Sequence, residues 1–427
     1  MTIVMQYQRI KGTRDILPSE VYQWQYLENF LREYFKRNNY KEIRTPAFEV
    51  TELFARGIGD DTDVVSKEMY TFLDKGGNSL TLKPELTAPV MRAYIQNNLE
   101  QIAPLTKIYY IDALFRQERP QKGRLRQFHQ FGFEILGTPY PEADAETIQT
   151  TYELYRELGL KDLQIRLNSI GSRTSRGQYL EILRKALMPF REDFCGTCQE
   201  RLEKNVLRLF DCKVEFCQQI MTEHAPSILD HLSDEDRLHF KAVCHLLDVS
   251  GVPYTIDKTL VRGLDYYTRT TFEITSSLLG AQNAICGGGR YDHLIEDLGG
   301  KPTPGVGVAS GIERLLLILE QTGGFPIPET NLIYIITLGE SARVAGFRLV
   351  CELRRIKLNA QMDFLRRSIK AQLRDADREQ ANWVVILGDE ELARKAVILK
   401  NMKDGRQTEL ALDTAAEQIT AILQNQS

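Results

Sequence analysis

Residues Tyr109 to Leu136 leave few folds open. Two aromatic-rich apolar runs flank a polar loop with Pro120 and Gly123, the pattern of a long-looped antiparallel hairpin. Side chains alternate along a strand. In the second run His129, Phe131, Phe133 and Ile135 therefore share a face that reads as core. Phe128, Gln130, Gly132 and Glu134 share the opposite face. An aromatic plate, an amide, a gap and a carboxylate suit a bound small molecule, with Gly132 letting it approach the backbone. The loop sets Arg116, Arg119, Lys122, Arg124 and Arg126 against a single acid, Glu118. A cationic rim beside a pocket suits phosphate; a solvated hairpin tip is the plainer alternative.

The 427 residues allow two or three domains. At 43% hydrophobic and 26% charged, the composition is that of a soluble globular protein. A net charge of −4 gives no global basic field, so any RNA contact must be local. Met1 to Arg14 lacks an apolar signal core, and no apolar run approaches a membrane span. Together with an odd count of seven cysteines, this predicts a reducing cytoplasm, no membrane and no disulfide framework.

Along the chain, Lys11 to Pro18 is turn-rich, and Ser19 is placed to cap a helix whose buried face is Val21, Trp24, Leu27, Phe30, Leu31 and Tyr34. Tyr40 to Pro46 reads as a short strand, Arg56 to Asp61 as a polar glycine-rich loop, and Tyr70 to Leu82 as a hairpin turning at Gly76-Gly77-Asn78. Glu85 precedes a helix from Ala88, where a carboxylate meets the positive end of the helix dipole or simply caps it. From about Gly171 to Pro253 the text is mostly helical and reads as an inserted module. Its Cys195, Cys198, Cys212 and Cys217 have a C-x2-C-x13-C-x4-C spacing. That spacing allows zinc and equally allows reduced cysteines in a small helical core. Cys286 to Asp292 is a three-glycine run that suits a close approach or a tight sheet corner. Gly305 to Leu317 reads as a small-residue strand entering a helix. Arg314 in its opening turns is placed for phosphate or for an ion pair with Glu313 or Glu320. Residues 322–328 read as a linker. Beyond them helices and strands alternate in a compact α/β domain. Residues 331–427 carry 15 Lys+Arg against 13 Asp+Glu, and ten of these cations fall between Arg343 and Arg378. Such a stripe suits a nucleic-acid backbone or a solvated helix face.

Taken together, these stretches resemble the histidyl-tRNA synthetase family of class II aminoacyl-tRNA synthetases, over nearly the whole length from Lys11-Gly12-Thr13-Arg14-Asp15. Phe48 to Tyr70, with Pro46 before it, is similar to the dimer-forming first class II motif. Phe115 through Glu134 is similar to the second and Gly305 to Leu317 to the third. Leu260 to Thr270 and Gly287 to Asp292 are similar to the two histidine-specific signatures. Leu86 and His293 depart from the pattern, which usually has glycine at both places.

The resemblance implies an α+β fold: an antiparallel catalytic sheet flanked by helices over residues 1–325, a helical insertion at about 172–253, and an anticodon-binding α/β domain at 331–427. It implies ATP, with Mg²⁺, as co-substrate, L-histidine and tRNA(His) as substrates, and a homodimer. By motif, Arg116 is expected on the ATP α-phosphate, Glu118 at the adenine end, Phe128 stacked on the ring, and Arg314, assisted by Arg124, on the terminal phosphates. Glu85, Thr87, Gln130 and Glu134 are expected to grip histidine, and Tyr266, Tyr267 and the Gly287–Gly289 backbone to wall its imidazole. Arg262 is expected against both the carboxylate and the α-phosphate, so that Arg116, Arg262 and Arg314 carry the chemistry. No metal-ligating residue is assigned. The alternative is a non-catalytic, histidyl-synthetase-like regulatory subunit of ATP phosphoribosyltransferase, which typically lacks the tRNA-binding domain. A histidine-sensing domain of the kind fused to kinases fits less well, since no kinase text is present.

Overall fold

The computed structural model describes residues 7–59, 62, 64–120, 124–280, 283–327 and 331–424. Asp60, Asp61, Lys122, Gly123 and Pro328 lie outside the described residues. The chain divides into two compact units, Met1–Phe325 and Pro326–Ser427.

Among the described residues, the first unit is organised on an eight-stranded sheet. The hairpin strands Thr106–Phe115 and Gln127–Leu136 pair antiparallel, followed across the sheet by Gly305–Gly311, Ala284–Arg290, Thr268–Ser276 and Leu163–Ser169. The two short edge strands, Lys41–Glu42 and Thr255–Ile256, pair parallel. Period-two alternation decides which face meets the core. Phe131, Phe133 and Ile135 are buried with Tyr109, and Phe35 from the helix Val21–Arg37 packs against them, 4.7 Å from Tyr109 and 5.3 Å from Phe133 between ring centroids. The opposite face carries the polar residues. His129 departs from the expected core. It is half-buried at the open end of the strand, where its backbone N and its ring Nδ1 both meet the Glu313 carboxylate at 2.9 Å.

Ser19 does not cap the first helix. Glu20 takes that position, and its carboxylate accepts from the Leu17 N–H and pairs with Arg14. Arg56-Gly57-Ile58 is not a loop but the last turn of a helix, Thr51–Ile58. Gly57 lets that helix approach Thr87–Gln96, since a Cβ there would lie 3.1 Å from that of Ala88. The predicted hairpin is present as Tyr70–Leu73 and Ser79–Leu82, closed by Asp74 accepting the Gly76 and Asn78 N–H groups.

The glycine run Gly287–Gly289 is not a corner. It is the middle of a central strand, and each glycine is required by a neighbour. A Cβ on Gly287 would fall 2.0 Å from the Arg262 guanidinium, one on Gly288 2.3 Å from the Gly307 carbonyl, and one on Gly289 2.4 Å from that of Thr270. Between the sheet strands Leu163–Ser169 and Thr255–Ile256 runs a helical segment that includes Arg173–Leu187, Gly196–Lys204, Glu215–His224 and Asp234–Val249. Phe240, Val243 and Leu247 of the last of these join the sheet's own core, whereas Leu183, Leu202 and Ile220 belong to a second cluster with Tyr266 and Tyr291.

The second unit has parallel strands Ala360–Met362, Ile333–Thr337 and Trp383–Leu387, with Ala396–Asn401 and Gln407–Ala411 added antiparallel. Ile333 to Thr337 is buried throughout because both faces are covered: Ile333 and Ile335 enter one apolar cluster, Tyr334 and Ile336 another.

Candidate active site

Two cavities open on the polar face of the first unit's sheet. The larger, about 630 Å³, is lined by Arg116, Glu118, Arg124, Phe128, Arg262 and Arg314, among others. The smaller, about 230 Å³, is lined by Glu85, Thr87, Glu134, Tyr266, Tyr267 and Tyr291, among others. Arg116, Gln130, Arg262 and Gly287 line both.

In the larger cavity, Phe128 lies under the Arg116 guanidinium, 5.4 Å from carbon to ring centroid, and Arg116 Nε donates to the Pro84 carbonyl at 2.9 Å. The arginine plane is thereby fixed before any ligand arrives. Glu118 holds Arg124 at 3.1 Å. Arg314, in the opening turn of the helix Ile312–Thr322, donates to the Ala284 carbonyl at 2.7 Å. Burial, and then the charge of Arg124, lower its pKa against the opposing pull of Glu118 and Glu273. Glu313 is taken up by His129, so it does not neutralise Arg314 as the sequence allowed. Arg119 and Arg126 do not line the cavity. Arg126 instead packs on Gly12 and accepts the Arg116 N–H with its carbonyl.

Arg262 stands in the shared wall. Its Nη1 donates to Glu273 at 3.0 Å, and its Nε is buried with no partner among the described residues. Burial works against its charge, but Tyr267 and Glu273 more than offset that and raise its pKa.

The smaller cavity is built on neutral hydroxyls around two buried acids. Glu85 accepts from the N–H groups of Thr87 and Ala88 at 2.7 and 2.9 Å, so it caps the helix Thr87–Gln96 while facing the cavity. Burial raises its pKa against those bonds and Arg116. Glu134 accepts from Tyr110 at 2.8 Å, from Thr87 at 3.3 Å and from Tyr291. Burial pushes its carboxyl up to about 7, despite the hydroxyls that favour the anion. Gly307 makes room for it, since a Cβ there would lie 1.5 Å from Glu134 Oε2.

The structure thus brings together Glu85, Thr87, Arg116, Glu118, Arg124, Phe128, Gln130, Glu134, Arg262, Tyr266, Tyr267 and Arg314 around the two cavities. Gly132 behaves differently from expectation. Its missing side chain admits Tyr110, whose hydroxyl would lie 2.5 Å from a Cβ, and leaves no space for a ligand. Tyr110 and Tyr291, which hold Glu134, and Glu273, which holds Arg262, were not singled out from sequence. Leu86 is buried and lines the smaller cavity. His293 pairs with Glu296 away from both.

An antiparallel sheet carrying a nucleotide-sized cationic cavity beside an amino-acid-sized one is the architecture of class II aminoacyl-tRNA synthetases. A family model described as histidyl-tRNA synthetase matches residues 12–173 and 200–315, and an anticodon binding domain model matches 332–422. A histidine–tRNA ligase from Desulfitobacterium hafniense (strain DSM 10664 / DCB-2) is 49% identical over 414 residues, 97% of each chain. One from Caldanaerobacter subterraneus subsp. tengcongensis is 48% identical over 94% of this chain and 97% of that one. The crystal structure of apo S. aureus histidyl-tRNA synthetase matches with a TM-score of 0.81 at 39% identity, over 96% of this chain and 99% of that one. The chain belongs to the histidyl-tRNA synthetase family.

Proposed function

We propose the following course for the reaction. The chain is a histidine–tRNA ligase, which activates L-histidine with ATP to histidyl-adenylate and transfers it to the 3′ end of tRNA(His), releasing pyrophosphate and AMP. The same matches favour the ligase over the regulatory-subunit alternative.

The histidine carboxylate attacks the α-phosphorus of ATP in line, and pyrophosphate leaves. Two anions must be held together, so positioned cations are the main requirement. Arg116 and Arg262 stand where the two cavities join, and there they would hold the carboxylate and the α-phosphate. Arg314 and Arg124 would hold the terminal phosphates, with the adenine on Phe128 and its far end at Glu118. Glu85, Thr87 and Gln130 would take the amino group, and Glu134 the imidazole between Tyr266 and Tyr267. Hydrogen bonding to the ring makes discrimination steep, because a wrong amino acid leaves buried polar groups unpaired. In the second step the terminal ribose hydroxyl attacks the adenylate carbonyl, with a phosphate oxygen as the base.

Mg²⁺ prefers oxygen ligands and is usually held by substrate phosphates with one or two carboxylates. Glu273 faces the larger cavity and is the residue that would hold it together with the phosphates. When bound, the ion neutralises phosphate charge.

In the second unit, exposed Arg355, Lys357, Arg366, Lys370 and Arg374 support tRNA backbone binding. Exposed Phe48, Val50 and Phe72, which share one face of a three-stranded sheet, support a homodimer through that face. Among the described residues, no helix is long and apolar enough to cross a membrane. We infer a cytoplasmic enzyme from its reaction, since its tRNA substrate and ATP are found there.

The observation that carries this reading is Arg262, common to both cavities, with a buried donor awaiting an acceptor. Histidine-dependent ATP–pyrophosphate exchange, followed by charging of tRNA(His), tests it. Exchange that another amino acid supports equally, or no exchange at all, would refute it.

A further inference from the structure

The four cysteines of the helical segment are reduced, and their sulfurs converge on one point. Cys195 caps the helix Gly196–Lys204, Cys198 lies in its first turn, Cys212 closes the short helix Val206–Asp211, and Cys217 lies in the first turn of Glu215–His224. The four Sγ atoms all lie within 4.8 Å of one another, and Cys195 and Cys212 are 3.9 Å apart. A disulfide bond is about 2.05 Å, so these are not bonded pairs. A single tetrahedral ion with metal–sulfur bonds of about 2.3 Å sets its ligands about 3.8 Å apart. A multi-iron cluster places further atoms between the ligands and spreads them more widely.

Two further observations point to thiolate sulfur. The backbone N–H of Cys195 donates to Cys217 Sγ at 3.3 Å and that of Val214 to Cys212 Sγ at 3.4 Å, bonds that orient a metal-bound thiolate. Both helices, Gly196–Lys204 and Glu215–His224, direct their positive ends at the cluster. Simple apolar packing gives no reason for four sulfurs to meet or for backbone donors to aim at two of them. Cys195 and Cys198 lie in the stretch 174–199 that falls between the matched segments of the family model.

We propose that Cys195, Cys198, Cys212 and Cys217 bind one structural zinc ion through four thiolates, whose protons are released on binding. The site is closed, with no position left for substrate. Its consequence reaches the ATP cavity. Between the second and third ligands, Asn205 Nδ2 donates to Asp265 at 3.3 Å, and Arg208 Nη1 donates to the Gly263 carbonyl at 3.0 Å and lines the larger cavity. The ion fixes the segment that braces the loop carrying Arg262.

The test is metal analysis of the untagged, full-length enzyme after gel filtration, from a zinc-supplemented culture. One zinc per chain is expected. Titrating the native enzyme with a mercurial in the presence of a metallochromic dye should release that zinc as four thiols react, and cobalt replacement should give the intense absorption of tetrahedral thiolate coordination. Cys212→Ser should lose the ion and melt at lower temperature. Should that variant not fold, the mercurial and cobalt arms stand without it. Arg208→Ala should keep the ion while its KM for ATP rises several-fold. Substoichiometric zinc, iron in its place, a disulfide by mass, or zinc released without thiol modification each overturns the proposal.

Discussion

The two cavities solve recognition in opposite ways. The larger is wide and held by charge: Arg124 on Glu118 and Arg262 on Glu273. The smaller is closed and held by neutral groups: three hydroxyls surround Glu134, and backbone N–H groups cap Glu85. Paired charges at a half-open site cost little to desolvate, and their direct attraction is modest. They nevertheless supply a field that a triphosphate can exploit. A carboxylate enclosed by hydroxyls is expensive to ionise, so its affinity depends on a partner that completes its bonds. On the proposed assignment of the two cavities, charge serves the co-substrate and desolvation serves the amino acid.

The largest effect should come from a buried cation that lines both sites. Arg262→Ala should reduce adenylate formation by about 10² to 10³-fold, the scale of removing one transition-state donor. It should leave histidine binding by calorimetry within a few-fold. Unchanged pyrophosphate exchange would remove Arg262 from the chemistry and break the comparison at its junction.

Gly307→Ala should act on the closed cavity alone. The added methyl displaces Glu134, and a shift of about 1 Å costs about 10²-fold, read as kcat/KM for histidine, with KM for ATP unmoved. An equal loss for both substrates would mean that the cavities are not separately built. Phe128→Leu should act on the open cavity alone. Losing an aromatic contact of about 0.5–1.5 kcal/mol should raise KM for ATP by about threefold to tenfold in steady-state kinetics.

A separate effect is on stability. The folded Glu134 carboxyl titrates at about 7, above its ordinary 4.5, so the folded state keeps a proton that the unfolded chain releases. Its contribution is complete below about pH 4.5 and is lost as pH rises through about 7. Glu134→Gln should flatten the decline of stability across that window by at most about 1.4 kcal/mol per pH unit. Parallel melting curves for the two proteins would show that Glu134 is not held in its neutral form.

The hairpin is legible in the sequence because alternation is local: Phe128, Gln130 and Glu134 face the cavities while Phe131, Phe133 and Ile135 are buried. The residues that hold these groups are less legible, because they arrive from other strands. Tyr110 stands opposite Gly132 in the register of the strand pair, and a tyrosine facing a glycine is a signal that appears only once that register is known. Glu273 lies on a strand eleven residues beyond Arg262, and Tyr291 just past a strand end 157 residues beyond Glu134, and no local pattern joins them to the groups they hold. The cap at Ser19 fails for a similar reason. Glu20 occupies the cap position, but its carboxylate turns back to Arg14 and the Leu17 N–H and makes no bond to the helix's own N–H groups, so the boundary is legible and the residue is not. In the C-terminal unit the long alternating elements are legible, whereas the three-residue strand Ala360–Met362 is too short for any periodicity.

The common wall has a consequence for inhibition. Arg116, Gln130 and Arg262 stand between the cavities without separating them. A single compound that joins an imidazole end to a purine end through a short uncleavable link would lose its translational freedom only once, so occupying the first compartment presents its second end at high effective concentration to the other. The best linker is therefore the one whose length matches this narrow junction, and tightness should fall on either side of that length.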